Sequence, residues 1–271
     1  MLLPFEKLKS LYLSENAIGG NLENEELNNL TNLKSLDLSG NKIESISNKE
    51  WNNLTNLKYL DLSYNNIESI SNQVYKSGFQ WLSRLTKLET LNLTGNSLKN
   101  SILFDMRNLS SLKTLRLSSN QLEGRLLHIQ GLSNLINLKK LDLSENQIES
   151  LQSSKDGGRK LELTHLKELN LNSNLFNNSV FASLNKLLNL KTLSISNQLK
   201  GPIDTKDLDA FTSLRELNMR ANELIDFVIH KGWCDLRNLE VLDVSGNALE
   251  GMLPHCFSNL TALRVLDISR W

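Results

Sequence analysis

Residues 29–45 read NLTNLKSLDLSGNKIES and residues 53–69 read NLTNLKYLDLSYNNIES; fourteen of the seventeen positions agree at an offset of 24. A fixed internal period constrains a fold more than composition does, because every copy has to sit in an equivalent environment. The pattern L-x-x-L-x-L-x-x-N-x-L recurs eleven times, with first leucines at Leu8, Leu33, Leu57, Leu88, Leu112, Leu138, Leu166, Leu190, Leu214, Leu239 and Leu263. The steps between them are 25, 24, 31, 24, 26, 28, 24, 24, 25 and 24 residues.

The letters have physical reasons. Side chains alternate along an extended x-L-x-L-x segment, so Leu36 and Leu38, Leu60 and Leu62, or Leu141 and Leu143 point the same way. One unit cannot bury such a pair alone, whereas units stacked in parallel make a continuous core. Strands roughly 4.8 Å apart give a parallel sheet with the strand residues between the leucines facing outward. The ninth position carries Asn16, Asn41, Asn65, Asn96, Asn120, Asn146, Asn174, Asn222 and Asn247. The chain turns there and leaves main-chain amides and carbonyls free; a carboxamide offers both a donor and an acceptor, so these residues read as a structural ladder. The eighth repeat, LKTLSISNQLKGPI, is one residue short, so Asn197 comes early and a local defect in the ladder is expected. Longer linkers at 71–84 and 151–162 are expected to bulge from the back or the rim.

Composition removes several function classes. Lys plus Arg and Asp plus Glu are both 30, so no net field favours nucleic acid or an anionic membrane. No run of about 18 apolar residues suggests a spanning helix, and MLLPFEKLKS is too short in apolar residues for a secretory signal. His128, His165, His230 and His255 are scattered, no His/Cys/Asp cluster has metal-ligand spacing, and no serine sits in G-x-S-x-G. The chain is therefore not expected to be an enzyme or to need a metal or cofactor.

Some repeats continue as N-x-L-x-G-x-[IL]-P. One does so in full, with Asn247, Leu249, Gly251, Leu253 and Pro254, and partial versions carry Gly20, Gly124 and Gly201. Glycine allows a sharp path there and proline pre-sets the next dihedral. With the 24-residue step and the LDLSxN wording, the chain resembles the plant-type leucine-rich repeat of receptor-like proteins and receptor kinases. The stretch LEGMLPHCFSNLTALRVLDIS (249–269) is especially similar. The second, third and sixth repeats depart from this, reading NKIESIS, NNIESIS and NQIESLQ. The resemblance implies an α/β repeat solenoid, a right-handed superhelical horseshoe with a parallel concave sheet, formed by residues 1–271 as one array with the last repeat truncated. No cysteine-paired caps, spanning helix or kinase motif are legible, so a fragment of a longer ectodomain, poorly soluble alone, is expected. The resemblance further implies a protein or peptide ligand and a kinase-type co-receptor, no nucleic acid, and a parent at the extracellular side of the plasma membrane, anchored through segments not in this chain. Alternatives are a secreted hydrolase-inhibitor type of leucine-rich-repeat protein and an intracellular scaffold of the same repeat.

Asp between the two core leucines with Ser two later is this chain's own default and reads as scaffold. The outward positions that break the default are the binding candidates: Tyr59, Tyr64, Asn92, Arg116, Lys140, Glu168, Asn218 and Arg220. Tyrosine and arginine are frequent interface anchors, and a patch from Tyr59 and Tyr64 through Arg116 to Lys140 is the preferred one. Lys or Arg holds the second repeat position in nine of eleven units, among them Lys34, Lys58, Lys113 and Lys191. This stripe is expected to be neutralised by the aspartates of the same strands. N-x-[ST] sequons fall at Asn29, Asn53, Asn92, Asn108, Asn177 and Asn259, and four of these, Asn29, Asn53, Asn108 and Asn259, share one phase at the back or rim. Cys234 and Cys256, 22 residues apart, would sit in neighbouring coils as a disulfide or as two buried thiols.

Overall fold

The computed structural model describes residues 5–22, 27–46, 51, 53–68, 79–126, 129–151, 163–203, 205–225, 232–250 and 252–270. It divides into two compact units, the first made of Met1–Glu123 with His128–Leu138 and the second of Gly124–Leu127 with Lys139–Trp271.

In the first unit each repeat contributes one three-residue strand to the leucine-backed sheet: Ser10–Tyr12, Ser35–Asp37, Tyr59–Asp61, Thr90–Asn92 and Thr114–Arg116, while Gly19–Leu22 and Lys42–Ile46 pair separately. The three-residue strands pair in parallel and in register, so that Leu36 faces Leu11 and Leu60. The second unit continues the same design with Lys140–Asp142, Glu168–Asn170, Thr192–Ser194, Glu216–Asn218, Val241–Asp243 and Val265–Asp267. Apart from Leu11 and Leu266 in the first and last of these strands, the leucines behind them are almost wholly buried, Leu36, Leu60, Leu91 and Leu193 at 0% exposure. Truncating one such leucine to alanine costs about 2–5 kcal/mol. Short helical turns close the back of several of the described coils. In the first unit the helices Ile102–Asp105 and Ile129–Ser133 pack together, and Gly131 makes this approach feasible, since an added Cβ would lie 2.0 Å from the Leu103 carbonyl oxygen.

After each strand the chain reverses through a left-handed residue at the eighth repeat position. Gly40, Gly95 and Gly246 hold it in three repeats, but Tyr64, Ser119 and Glu145 adopt it too, with φ of 53°, 52° and 54°. Each non-glycine residue there costs roughly 1–2 kcal/mol, and the asparagine that follows offsets it. Asn65 is typical. Its Nδ2 donates to the carbonyls of Leu62 in its own coil and Leu38 in the coil before, at 3.1 and 3.0 Å. Its Oδ1 accepts from the N–H of Ile43, also in the coil before, at 3.0 Å. Asn41, Asn96, Asn120, Asn174, Asn222 and Asn247 donate across coils in the same way. Buried Asn146 donates to the carbonyls of Leu143 and Ser144. Asn16 is exposed and donates to its own coil at Leu13 and Ser14.

The structure corrects the reading of the eighth repeat. Asn197 is not an early ladder residue: it takes the left-handed eighth position with φ 65°. Gln198 fills the ninth, its Nε2 donating to Leu171 O at 2.9 Å and its Oε1 accepting from Asn174 N at 3.0 Å. The missing residue is therefore the one after the ladder position, and Leu199 drops directly into the core at 0% exposure.

The first long linker also departs from expectation. Its end does not bulge: Phe79 and Trp81 are buried, Gln80–Arg84 forms a 3-10 turn, and the Trp81 ring lies 4.7 Å from that of Trp51. Bulky aromatics gain more by joining the core than by standing in solvent. Residues 69–78 and 152–162, with Gly251, His128 and His230, lie outside the described residues. Beside this aromatic cluster Asp105 is 9% exposed. Burial pushes its carboxyl up to about 6, against a smaller opposing pull from the main chain of Phe79. In the second unit Cys234 and Cys256 are joined as a disulfide with Cα atoms 5.4 Å apart, tying the turn Gly232–Asp235 to the turn His255–Asn259.

Candidate ligand-recognition face

In the first unit the outward strand face converges on a residue that sequence reasoning set aside as scaffold. Asp61, 7% exposed, receives four donors. Its Oδ1 accepts from the N–H and Oγ of Ser63 at 2.9 and 2.6 Å. Its Oδ2 accepts from Tyr59 Oη at 3.0 Å and from Asn92 Nδ2 at 2.9 Å. Burial, then the Asp61 charge, pushes the Tyr59 hydroxyl up to about 12, so it stays a neutral donor. Asn92 Oδ1 in turn accepts from Thr94 N. Both Tyr59 and Asn92 are thus spent inside the protein. Arg116, directly opposite Asn92 on the next strand, is exposed and has no ion pair among the described residues. Tyr64 is not on the strand. It occupies the left-handed turn, 65% exposed, with its ring over Gly95, whose added Cβ would lie 2.7 Å from Tyr64 Cδ1.

The second unit holds the other candidates. Lys140 and Glu168 face each other on adjacent strands and form an ion pair at 2.8 Å, each about half exposed. Asn218 Oδ1 accepts from the Arg220 N–H at 3.0 Å, while the Arg220 side chain forms no ion pair among the described residues. Simple Asp–Ser turns recur at Asp37, Asp142 and Asp243, whose Oδ1 atoms accept from the following serine. Of the eight candidates, then, four are engaged by polar side-chain partners, and the side chains of Arg116, Tyr64 and Arg220 form no hydrogen bond or ion pair among the described residues. Asn218 serves its own turn.

Three of the nine basic residues in the stripe form ion pairs among the described residues, and none of these is with a strand aspartate. The two repeats that break the stripe supply the acids. Glu89 bridges Lys58 and Lys113 at 2.8 and 2.5 Å, and Glu240 pairs with Arg215 at 3.0 Å. The hydrogen bonds from Lys113 and Lys58 hold the Glu89 carboxyl down at about 2. The aspartates are already committed to their own turns, whereas side chains in one column of adjacent coils meet directly. Among the described residues no group of three or more His, Cys, Asp or Glu could hold a metal ion.

The leucine-rich-repeat models match residues 6–67, 31–77 and 227–270, with related two-copy and single-repeat models over 55–105, 111–135 and 134–150. The chain belongs to the leucine-rich-repeat family. Its curated relatives include Receptor-like protein 13 of Arabidopsis thaliana, 31% identical over 226 residues, which cover 70% of this chain and 21% of the relative. Cuscuta receptor 1 of Solanum lycopersicum is 38% identical over 63 residues, 23% of this chain and 6% of that one. The chain is thus a plant-type receptor-like leucine-rich-repeat sequence that spans about a fifth or less of the length of such relatives. Among solved structures it is similar to a TDR receptor, with a TM-score of 0.72 and 26% identity over 97% of this chain and 43% of that one. It is also similar to the Arabidopsis receptor kinase HAESA in complex with the peptide hormone IDA and the co-receptor SERK1. There the TM-score is 0.70 and the identity 28%, over 98% of this chain and 42% of that one.

Proposed function

We propose that this leucine-rich-repeat chain is ligand-recognition sequence from a plant cell-surface receptor-like protein, binding a peptide or protein on its outward strand face in defence or developmental signalling. Its partners in that role are an extracellular ligand and a kinase-type co-receptor, and its place is the outer side of the plasma membrane. The observation that carries the reading is the sorting of the strand face. Several outward polar groups are satisfied within the fold, while Arg116 on its strand and Arg220 in the turn after its strand are exposed and have no ion pair among the described residues. Arginine in that setting offers a planar fork for a carboxylate. The likeness to HAESA, whose complex holds a peptide hormone and a co-receptor, supports the same class of ligand. Among the described residues no helix is long and apolar enough to cross a membrane.

The test is a peptide array of acidic and neutral sequences probed with the wild-type chain and with Arg116→Glu and Arg220→Glu. The proposal expects a subset of acidic peptides to be retained, with at least a ~10-fold loss on one of the charge reversals. Retention of no peptide, or retention indifferent to both reversals, refutes it.

A further inference from the structure

The shortened eighth repeat leaves a gap in a pattern that other described coils obey. Two residues after the ladder position, or directly after it in the eighth repeat, a coil buries an apolar residue whose main chain is satisfied by the coil that follows. Ile43 donates its N–H to Asn65 Oδ1 and its carbonyl accepts from Asn66 N. Ile67, Leu98, Ile148, Leu199 and Leu224 each repeat both bonds, to a ladder asparagine and to the residue after it. Phe176 holds this place in the seventh repeat, with the whole residue 2% exposed. Its next coil has a glutamine at the ladder position, whose Oε1 is drawn to Asn174 N, and lacks the following residue altogether. The Phe176 N–H and carbonyl therefore have no hydrogen-bond partner among the described residues.

Phe176 lines a cleft of about 610 Å³ in the second unit, together with Leu175, Asn178, Gln198, Lys200 and Glu223. Asn178 gives its Nδ2 to the carbonyls of Lys200 and Pro202, at 2.8 and 2.5 Å, and its Oδ1 is buried without a partner. Lys200 and Glu223 pair at 3.0 Å, both more than two thirds exposed. A volume of this size is typical of small-ligand sites. Main-chain polar groups left without partners away from bulk solvent favour a ligand that supplies them.

We propose that this cleft is a binding site for a primary carboxamide, the side chain of Asn or Gln on an extended peptide segment. The amide oxygen accepts from Phe176 N–H and the amide nitrogen donates to Phe176 O, supplying from outside the rung that the eighth repeat omits. A carboxylate of the same shape meets the N–H but repels the carbonyl, and an aliphatic side chain satisfies neither, so the site discriminates Asn from Asp and Leu. The inference does not rest on the receptor reading, since it uses no residue of the strand face.

The test uses the wild-type chain and the peptide acetyl-Ala-Asn-Ala N-methylamide, with its Asp and Leu counterparts as controls. Titration followed on the Phe176 amide by NMR is expected to give a saturable shift with the Asn peptide and at least ~10-fold weaker response with the other two. Without peptide, the Phe176 amide is expected to exchange with solvent at least ~10-fold faster than those of Leu199 and Leu224. Insertion of one Asn between Gln198 and Leu199 rebuilds the rung and is expected to abolish the shift. Equal response to all three peptides, no response to the Asn peptide, or a Phe176 amide as protected as its counterparts overturns the proposal. Both wild-type measurements stand even where the insertion variant does not fold. Arg116→Glu is expected to leave this titration unchanged, which separates its failure from that of the receptor reading.

Discussion

Replacing Asn65 by alanine tests the ladder most directly, because the structure says which bonds end and which survive. Three carbonyls receive the Asn65 amide, those of Leu38, Leu62 and Ser63. Each keeps another donor: Leu38 O has Asn41, Leu62 O has Asn96 and Ser63 O has the N–H of Gly40. Only the N–H of Ile43, a residue at 0% exposure, is orphaned. One buried unpaired donor costs about 1–3 kcal/mol, and thinning three carbonyls adds a fraction more, so Asn65→Ala is expected to lose about 2–3 kcal/mol. Asn16→Ala removes bonds within one exposed coil and is expected to lose under about 0.5 kcal/mol. Asn65→Asp is the sharper case. The carboxylate can still accept from Ile43 but faces three carbonyl oxygens, so at neutral pH it should be less stable than the alanine variant and should recover as acid protonates it. Urea unfolding of all three variants, with hydrogen exchange at the Ile43 amide, reads the outcome. An aspartate variant as stable as the alanine variant at pH 7, or an Asn65→Ala loss no larger than that of Asn16→Ala, refutes the reasoning.

The Asp105 carboxyl is pushed up to about 6 by burial. A raised acid favours the folded state most when protonated, so its contribution declines as pH rises from about 4 to 6. Asp105→Asn is expected to stabilise the protein by about 1–2 kcal/mol at pH 7 and by almost nothing at pH 4, measured as paired denaturation midpoints; the reverse pH dependence contradicts this. Gly95→Ala should cost about 1–2 kcal/mol through its positive φ and the Tyr64 ring, and about half should return in a Tyr64→Ala background, as a double-mutant cycle will show. Of the sequons, Asn29, Asn53, Asn108 and Asn259 are exposed, whereas Asn92 is committed to Asp61. Glycopeptide mass spectrometry of plant-expressed protein should find Asn92 unmodified, and a glycan there would contradict the network. Reducing the Cys234–Cys256 bond should cost about 3 kcal/mol for a loop of this length, read as a drop in unfolding midpoint with reductant that Cys234→Ser does not show.

The repeat unit, the strand positions and the ladder were legible because a period of about 24 residues repeats one set of contacts many times. Side-chain traffic between coils was less legible. Glu89 and Glu240 looked like exceptions in a basic column and are its counter-charges. Tyr59 looked like an interface anchor and is a donor to Asp61, two residues on in the same strand, whose further donor Asn92 comes from the next coil. The cleft beside Phe176 left one trace, a missing letter in LKTLSISNQLKGPI. Counting that letter as lost before the asparagine placed the defect on the wrong residue, because only the backbone turn shows that Gln198, not Asn197, stands in the ladder.

The repair of that omission has a consequence for how such chains can change. Asn222 accepts from both Gln198 and Leu199, and the ninth repeat resumes its pattern at once. Loss of a codon alters the relief of one patch and leaves every coil beyond it in place. In a globular core the same event would move each later residue out of its partner's reach. A stacked chain can therefore acquire or erase a pocket by single deletions and insertions, sampling new surfaces without having to find a new fold.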